Sequence, residues 1–251
     1  MTLSQTSTSF RAALRMAREV HRGQIPARYN VAHWGRDFEE RVGDALIPRV
    51  CVLDAGSGRR PAIPIDKRPA DCRYVGLDLS RSELEHAPAG SYDEMIAGDL
   101  TSRIPGLQDR FDLIVSFQVL EHVRPLDDAI ENIRRYLRPG GRFVTQLSGS
   151  LSVFGLLNRL LPTNVAVWTL KTLLGRPPDT VFPAHYHHCW ASALERMLEP
   201  WSRAEVIPIW YGAPYFSFSK ALQASYVGYE EWMRSADHRN LASHYVIDAH
   251  R

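Results

Sequence analysis

Three apolar runs early in the chain each end on an aspartate. They are VCVLD (50–54), followed at once by AGSG, then RYVGLD (73–78) and EMIAGD (94–99). Short, β-branched runs without polar alternation are strands covered on both faces, which a chain achieves when helices flank a parallel sheet. RFDLIVSFQVL (110–120) and GRFVTQLSG (141–149) continue the series. Between them the spacing Leu126, Ile130, Ile133, Leu137 is helical, and Pro139-Gly140-Gly141 predicts its stop, with glycine at the C-terminal end. Strands alternating with helices predict an α/β, Rossmann-like, mostly parallel sheet with helices on both faces.

The rest of the chain predicts decoration around that sheet. SALERMLEPW (192–201) reads as a helix, RAEVIPIW (203–210) as a sixth strand and SHYVIDAH (243–250) as a short last strand. Residues 1–47 predict a helical arm or lid ahead of a domain over 48–251, with helical cap insertions at about 151–190 and 212–240. The stretch 151–175 is amphipathic, but Asn158, Arg159, Pro162, Asn164 and Lys171 interrupt it. It therefore lacks the ~20 apolar residues of a membrane span and faces either the core or a lipid-like surface. A net charge of +2 without a Lys/Arg run argues against a nucleic-acid partner. Three scattered cysteines and no apolar leader fit a cytoplasmic chain.

Ligands of open parallel sheets lie outside the C-terminal strand ends, so the residues directly after each strand matter most. Gly56 and Gly58, flanking Ser57, let the backbone approach a ligand without a Cβ in the way. Asp78 can accept from both hydroxyls of a ribose and Asp99 from the amine of an adenine edge. Ser116, Phe117, Gln118, Glu121 and His122 follow the fourth strand. Acids ending three successive strands point to a nucleoside. A pyrophosphate cradle would read G-x-G-x-x-G, but here Pro61 takes the last glycine's place and Arg59-Arg60 crowds the turn.

The set VLDAGSG, VGLDLS, AGDL, FDLIVSFQVLEHV and LRPGG resembles class I S-adenosylmethionine-dependent methyltransferases, in particular the subgroup that includes ubiquinone-type enzymes. The resemblance covers roughly residues 45–148, and SHYVIDAH resembles that fold's reversed seventh strand. It implies seven strands with the last antiparallel, and S-adenosyl-L-methionine across the strand ends. Gly56 and Gly58, with Asp54 and Ser57, would then line the methionine part. Asp78 would hold the ribose and Asp99 the adenine, with Leu79 and Leu100 against the ring. Phe117 and Gln118 would meet the amino-acid end, and Tyr29 would close over the donor. Arg60 departs from the D-x-G-x-G-x-G of many relatives, and the Pro-rich stretch after it predicts a shortened or replaced first crossover helix.

Methyl transfer to a hydroxyl calls for alignment and a base. His122, His185 and His188 are the candidates, each with the alternative of a supporting or surface histidine. His185, His187, His188 and Cys189 are too close in sequence to surround one ion by themselves, so no metal ligand is assigned; Mg2+ with a sugar diol is compatible with the chemistry. Acceptor specificity is expected from Tyr29, His33, Trp34, the insertion and the aromatic 212–240 segment. The Arg-Arg-Pro loop and FPAHY (182–186) resemble methyltransferases found among polysaccharide and glycolipid assembly enzymes. The expected activity is O-methylation of a saccharide or glycoconjugate. The alternatives are methylation of a small aromatic or polyketide-like metabolite, and a non-catalytic donor-binding subunit. The partners implied are a small-molecule or oligosaccharide substrate, a glycolipid or membrane surface, and a second copy in a homodimer.

Overall fold

The computed structural model describes residues 12–18, 26–29, 34–153, 155–156, 185 and 187–251. Most of the amphipathic insertion, His33 and most of FPAHY lie outside them. Seven strands make one sheet: β1 (Cys51–Ala55), β2 (Arg73–Asp78), β3 (Glu94–Ala97), β4 (Phe111–Phe117), β5 (Leu137–Ser148), β6 (Arg203–Ile209) and β7 (His244–His250). Their order is β3-β2-β1-β4-β5-β7-β6. β7 runs antiparallel to both β5 and β6, and the pairs among β1 to β5 are parallel. The expected Rossmann-like sheet with a reversed last strand is therefore present. The order reverses at β1 and β4, which opens the crevice where such sheets take ligands.

All five β1 residues are buried, as a strand covered on both faces requires. On one face Leu53, Ile114 and Phe143 pack with α3 (Leu126–Tyr136) and α4 (Ala191–Met197). On the other, Val52, Val115, Val144 and Val246 pack with Phe38 and Val42 of α1 (Arg36–Ala45) and Leu84 of α2 (Arg81–Glu85). The N-terminal arm thus supplies a helix to the sheet's own core. A fifth helix, α5 (Lys220–Ser235), fills the aromatic segment. None of the described helices is long and apolar enough to cross a membrane.

Two local readings are sharpened. The first crossover contains only a 3-10 turn, Ile65–Lys67. Its loop is held by Arg68, whose guanidinium lies 3.4 Å over the Tyr74 ring and donates to the Ile63 and Ser91 carbonyls. The helix before β5 ends at Tyr136, ahead of Pro139-Gly140-Gly141. Leu137 is already extended and pairs with Phe111, so strand pairing ends the helix before the glycines are reached. Gly140, at φ +79°, instead sits inside β5 near the register shift opposite Phe111 and Leu113.

Candidate functional site

The loop after β1 is built from below by Asp54. Its side chain is buried, and Oδ2 accepts from the Tyr74 hydroxyl at 2.6 Å and the Ala62 N–H at 2.7 Å. Desolvation pushes its pKa up to about 6 against the lowering effect of the Tyr74 bond. Asp54 therefore fixes the loop's shape instead of presenting its carboxylate to the crevice. Above it the Gly56 N–H donates to the Leu77 carbonyl at 2.7 Å, and Gly56 adopts φ +81°. A Cβ there would lie 2.2 Å from Val119 Cγ1, so the turn needs glycine for both space and dihedral. Gly58 is also left-handed, at φ +48°. Ser57 Oγ is buried and has no hydrogen-bond partner among the described residues.

At the end of β2, Asp78 is half-buried, and Oδ1 accepts from Ser80 N–H at 2.9 Å. Burial raises its pKa, opposed by bonds from the Ser80 and Gly58 N–H groups. Leu79 beside it is 75% exposed. Asp99 is exposed and braces the next turn by accepting from Thr101 N–H and Oγ1 at 2.9 and 2.8 Å. The side chain of Leu100 is turned into the main core. Arg59 does not enter the cradle: it forks onto Glu83 at 2.6 and 2.7 Å, tying the loop to α2 and lowering the Glu83 pKa.

After β4, Gln118 adopts φ +58°, a conformation non-glycine residues hold only when their surroundings enforce it. Its N–H donates to Gln146 O at 2.8 Å, and its side-chain Oε1 accepts from Ser148 Oγ at 2.9 Å. Its Nε2 is buried and has no partner among the described residues. Glu121 Oε1 also lies 2.9 Å from Ser148 Oγ, and burial raises the Glu121 pKa. One serine proton cannot serve both acceptors. Glu121 Oε1 also accepts from the Ser148 N–H at 3.3 Å, so its carboxyl is tied to this strand end by backbone and side chain together.

The described histidines divide. His122 lies in the 3-10 turn Leu120–His122, just past β4. His185 is exposed. His188 is left-handed at φ +57°, its ring 3.9 Å from His187 and edge-on to Trp190 at 5.3 Å. Asp127 joins this pair, with ligand atoms all within 4.8 Å of one another. Cys189 is buried and its thiol pKa is pushed up by desolvation, which disfavours thiolate ligation. Tyr29 is buried, and its hydroxyl donates to Glu230 Oε2 at 2.6 Å. It fastens the arm to α5, while the arm's ring over the ends of β4 and β7 is Trp34, edge-on to Phe117 at 5.3 Å and to His244 at 5.8 Å.

Two residues at this end escaped the sequence reading. Gln146 is fully buried at the C-terminal part of β5, directly opposite Phe117 on β4 and Val246 on β7. Neither of its amide atoms has a partner among the described residues. His244 opens β7 opposite Ser148, is buried, and has its pKa pushed down to about 4 by desolvation. The available signals were a lone amide within the apolar run FVTQL and a histidine at the first position of the last strand.

Against known families, a profile described as a methyltransferase domain matches residues 25–200, more than half of the chain. The chain belongs to this methyltransferase domain family. It is 33% identical over 124 residues to a malonyl-[acyl-carrier protein] O-methyltransferase of Enterobacter lignolyticus, covering 46% of this chain and 49% of that one. It is 29% identical over 131 residues to a ubiquinone biosynthesis O-methyltransferase of a Chelativorans species, covering 50% of each. The chain thus spans about half the length of these curated relatives. The [4+2]-cyclase SpnF superposes with a TM-score of 0.54 at 17% identity over 86% of this chain and 80% of that one. A Haemonchus contortus phosphoethanolamine N-methyltransferase does so with a TM-score of 0.53 at 13% identity over 87% of this chain and 52% of that one. At such identities these two show the fold alone, and the cyclase illustrates that one fold hosts different chemistries.

The residues of the crevice fit S-adenosylmethionine. The left-handed turn at Gly56 and Gly58 would line its methionine part, and Ser57 Oγ and Gln118 Nε2, buried and without a partner among the described residues, would offer it hydrogen-bonding groups. Asp78 would offer its carboxylate to the ribose. No part of this set requires a phosphate.

Proposed function

We propose that the chain is an S-adenosylmethionine-dependent O-methyltransferase whose acceptor sits over the ends of β4, β5 and β7. The observation that carries this is the pair of buried polar atoms at the strand ends, Ser57 Oγ after β1 and Gln118 Nε2 after β4, that find no partner among the described residues. Such atoms are costly unless something bonds to them. When bound, S-adenosylmethionine supplies an electrophilic methyl on a sulfonium. Asp78 holds the donor by its ribose, and the Gln118–Ser148–Glu121 network fixes the groups at its reactive end. Trp34 and Phe117 exclude water from the acceptor side.

The family match supports methyl transfer, and the O-methyltransferase names of both curated relatives favour oxygen as the acceptor atom. For the acceptor, the aromatic surfaces of Trp34, Tyr211 and Tyr215 suit the face of a sugar ring as well as a flat ring. The saccharide or glycoconjugate reading stands beside the small-aromatic reading on that ground. His122, His185 and His188 remain the proposed bases on the loops at the crevice mouth.

Calorimetry with S-adenosylmethionine and S-adenosylhomocysteine tests the donor assignment. Both should bind, and Asp78→Ala should weaken both at least tenfold. Absence of binding to the wild-type protein would remove the reading. Donor consumption over oligosaccharides and phenols, with and without Mg2+, separates an enzyme from a non-catalytic donor-binding subunit. Alanine at each of the three histidines should lower turnover at one of them while leaving donor binding intact.

A further inference from the structure

The strongest unexplained feature is a buried amide, that of Gln146, with no partner among the described residues. Strand alternation sets Gln146 on the same face as Val144, which packs with Phe117, Phe38 and Val246. Its neighbours across the sheet are therefore the Phe117 ring on one side and β7 on the other. His244 stands two residues before Val246 on that same face, diagonal to Gln146. Trp34 touches both Phe117 and His244, so its indole lies above the strand that carries Gln146. Tyr215 stacks on His244 with ring centroids 6.5 Å apart. His244 Nδ1 meets Ser243 Oγ at 3.2 Å.

A fully buried glutamine with neither its N–H nor its carbonyl bonded is expensive in a folded protein, and such groups are rare. Here it occurs at the strand ends where the sheet takes its ligands, one residue before the Leu147–Ser148 end of β5 and beside the Gln118 network. Ser148 shares its face of β5 and carries the bonds to Gln118 and Glu121, and His244 is held neutral by burial. An anionic ligand group would gain no counter-charge from these side chains, whereas a neutral oxygen pair can both accept from the amide N–H and donate to the amide oxygen.

We infer that Gln146 and His244, roofed by Trp34, form the acceptor-recognition subsite, and that they select a flat, uncharged molecule carrying neighbouring hydrogen-bonding oxygens. The amide of Gln146 takes one oxygen as donor and acceptor, the imidazole of His244 faces the second, and the ring lies against Trp34 and Phe117. This assignment rests on the methyltransferase reading, because it places the subsite beside the donor crevice. It makes Gln146 a specificity residue kept at the expense of folding stability.

The test uses the full chain saturated with S-adenosylhomocysteine and three probes: catechol, cis-cyclohexane-1,2-diol and benzoate. Binding is followed by saturation-transfer NMR and by tryptophan fluorescence. Catechol should bind at least tenfold tighter than the saturated diol, which has the same oxygens without the flat ring, and than benzoate, which is flat but charged. Gln146→Leu should weaken catechol at least tenfold, leave S-adenosylhomocysteine affinity within twofold, and melt at a higher temperature than wild type. Trp34→Phe should retain catechol binding and Trp34→Ala should lose it, which covers the case of a variant that misfolds. Catechol binding equal to that of the diol or benzoate, unchanged in Gln146→Leu, or absent from the loaded protein would overturn the assignment. Failure of S-adenosylhomocysteine to bind would instead sink the donor reading on which it rests.

Discussion

Replacing Gln146 with leucine should stabilise the protein while removing a function. The side chain is fully buried, its amide N–H and carbonyl are both unpartnered among the described residues, and its neighbours Val144, Phe117 and Val246 are apolar. Leaving a buried polar group unsatisfied costs about 1–3 kcal/mol. Leucine has a similar volume, so the exchange removes that cost without opening a cavity. The expected gain is about 2 kcal/mol in the free protein. For a chain of this size that corresponds to a rise of roughly 4–8 °C in Tm. Urea unfolding at pH 7, with wild type and variant compared at equal m-value, reads the difference directly. Adding S-adenosylhomocysteine should raise both midpoints alike, because the substitution spares the donor cradle. Unchanged or lower stability would mean that the amide is already satisfied in the folded chain, and the argument for a recognition role would lose its footing.

Three further outcomes test other parts of the account. Gly56→Ala combines a left-handed dihedral with a Cβ 2.2 Å from Val119 Cγ1. It should lower stability by about 2–4 kcal/mol and abolish S-adenosylhomocysteine binding by calorimetry, with Val119→Ala recovering only the steric part. His244, buried with a pKa of about 4, takes up a proton when the chain unfolds below its ordinary value of 6.5. Its contribution should cost about 3 kcal/mol of stability as pH falls from 6.5 to 4, and His244→Gln should lose that dependence. Asp54 works in the opposite sense: its pKa is raised from 3.8 to about 6, so stability falls by about 3 kcal/mol as pH rises across that interval. Asp54→Asn should therefore leave stability rising with pH between 4 and 6 and His244→Gln should leave it falling. Identical pH slopes in the two variants, measured by urea titration, would contradict the burial of these groups.

The residues after each strand were legible because the crevice of a parallel sheet is written locally. Apolar runs give the strands, glycines give the turns, and the acids follow directly, so Gly56, Gly58, Asp78 and Asp99 announced themselves. The lost first crossover helix was legible in its prolines, whereas the reversed seventh strand was expected only from the family resemblance of SHYVIDAH. What each acid does was decided by burial. Asp54 reads like a ligand-binding carboxylate but is taken by Tyr74 and Ala62, twenty and eight residues away in sequence. Tyr29 reads like a donor lid and is claimed by Glu230 across 201 positions. The histidine-rich loop drew attention by composition, yet its third partner, Asp127, comes from α3. Gln146 and His244 were invisible as a pair because β5 and β7 are adjacent only through antiparallel pairing over about a hundred residues. Local chemistry therefore determined where the crevice and its proposed donor residues lie. Which polar groups are withdrawn from water, and hence which are available to recognise an acceptor, was settled only when the strands came together.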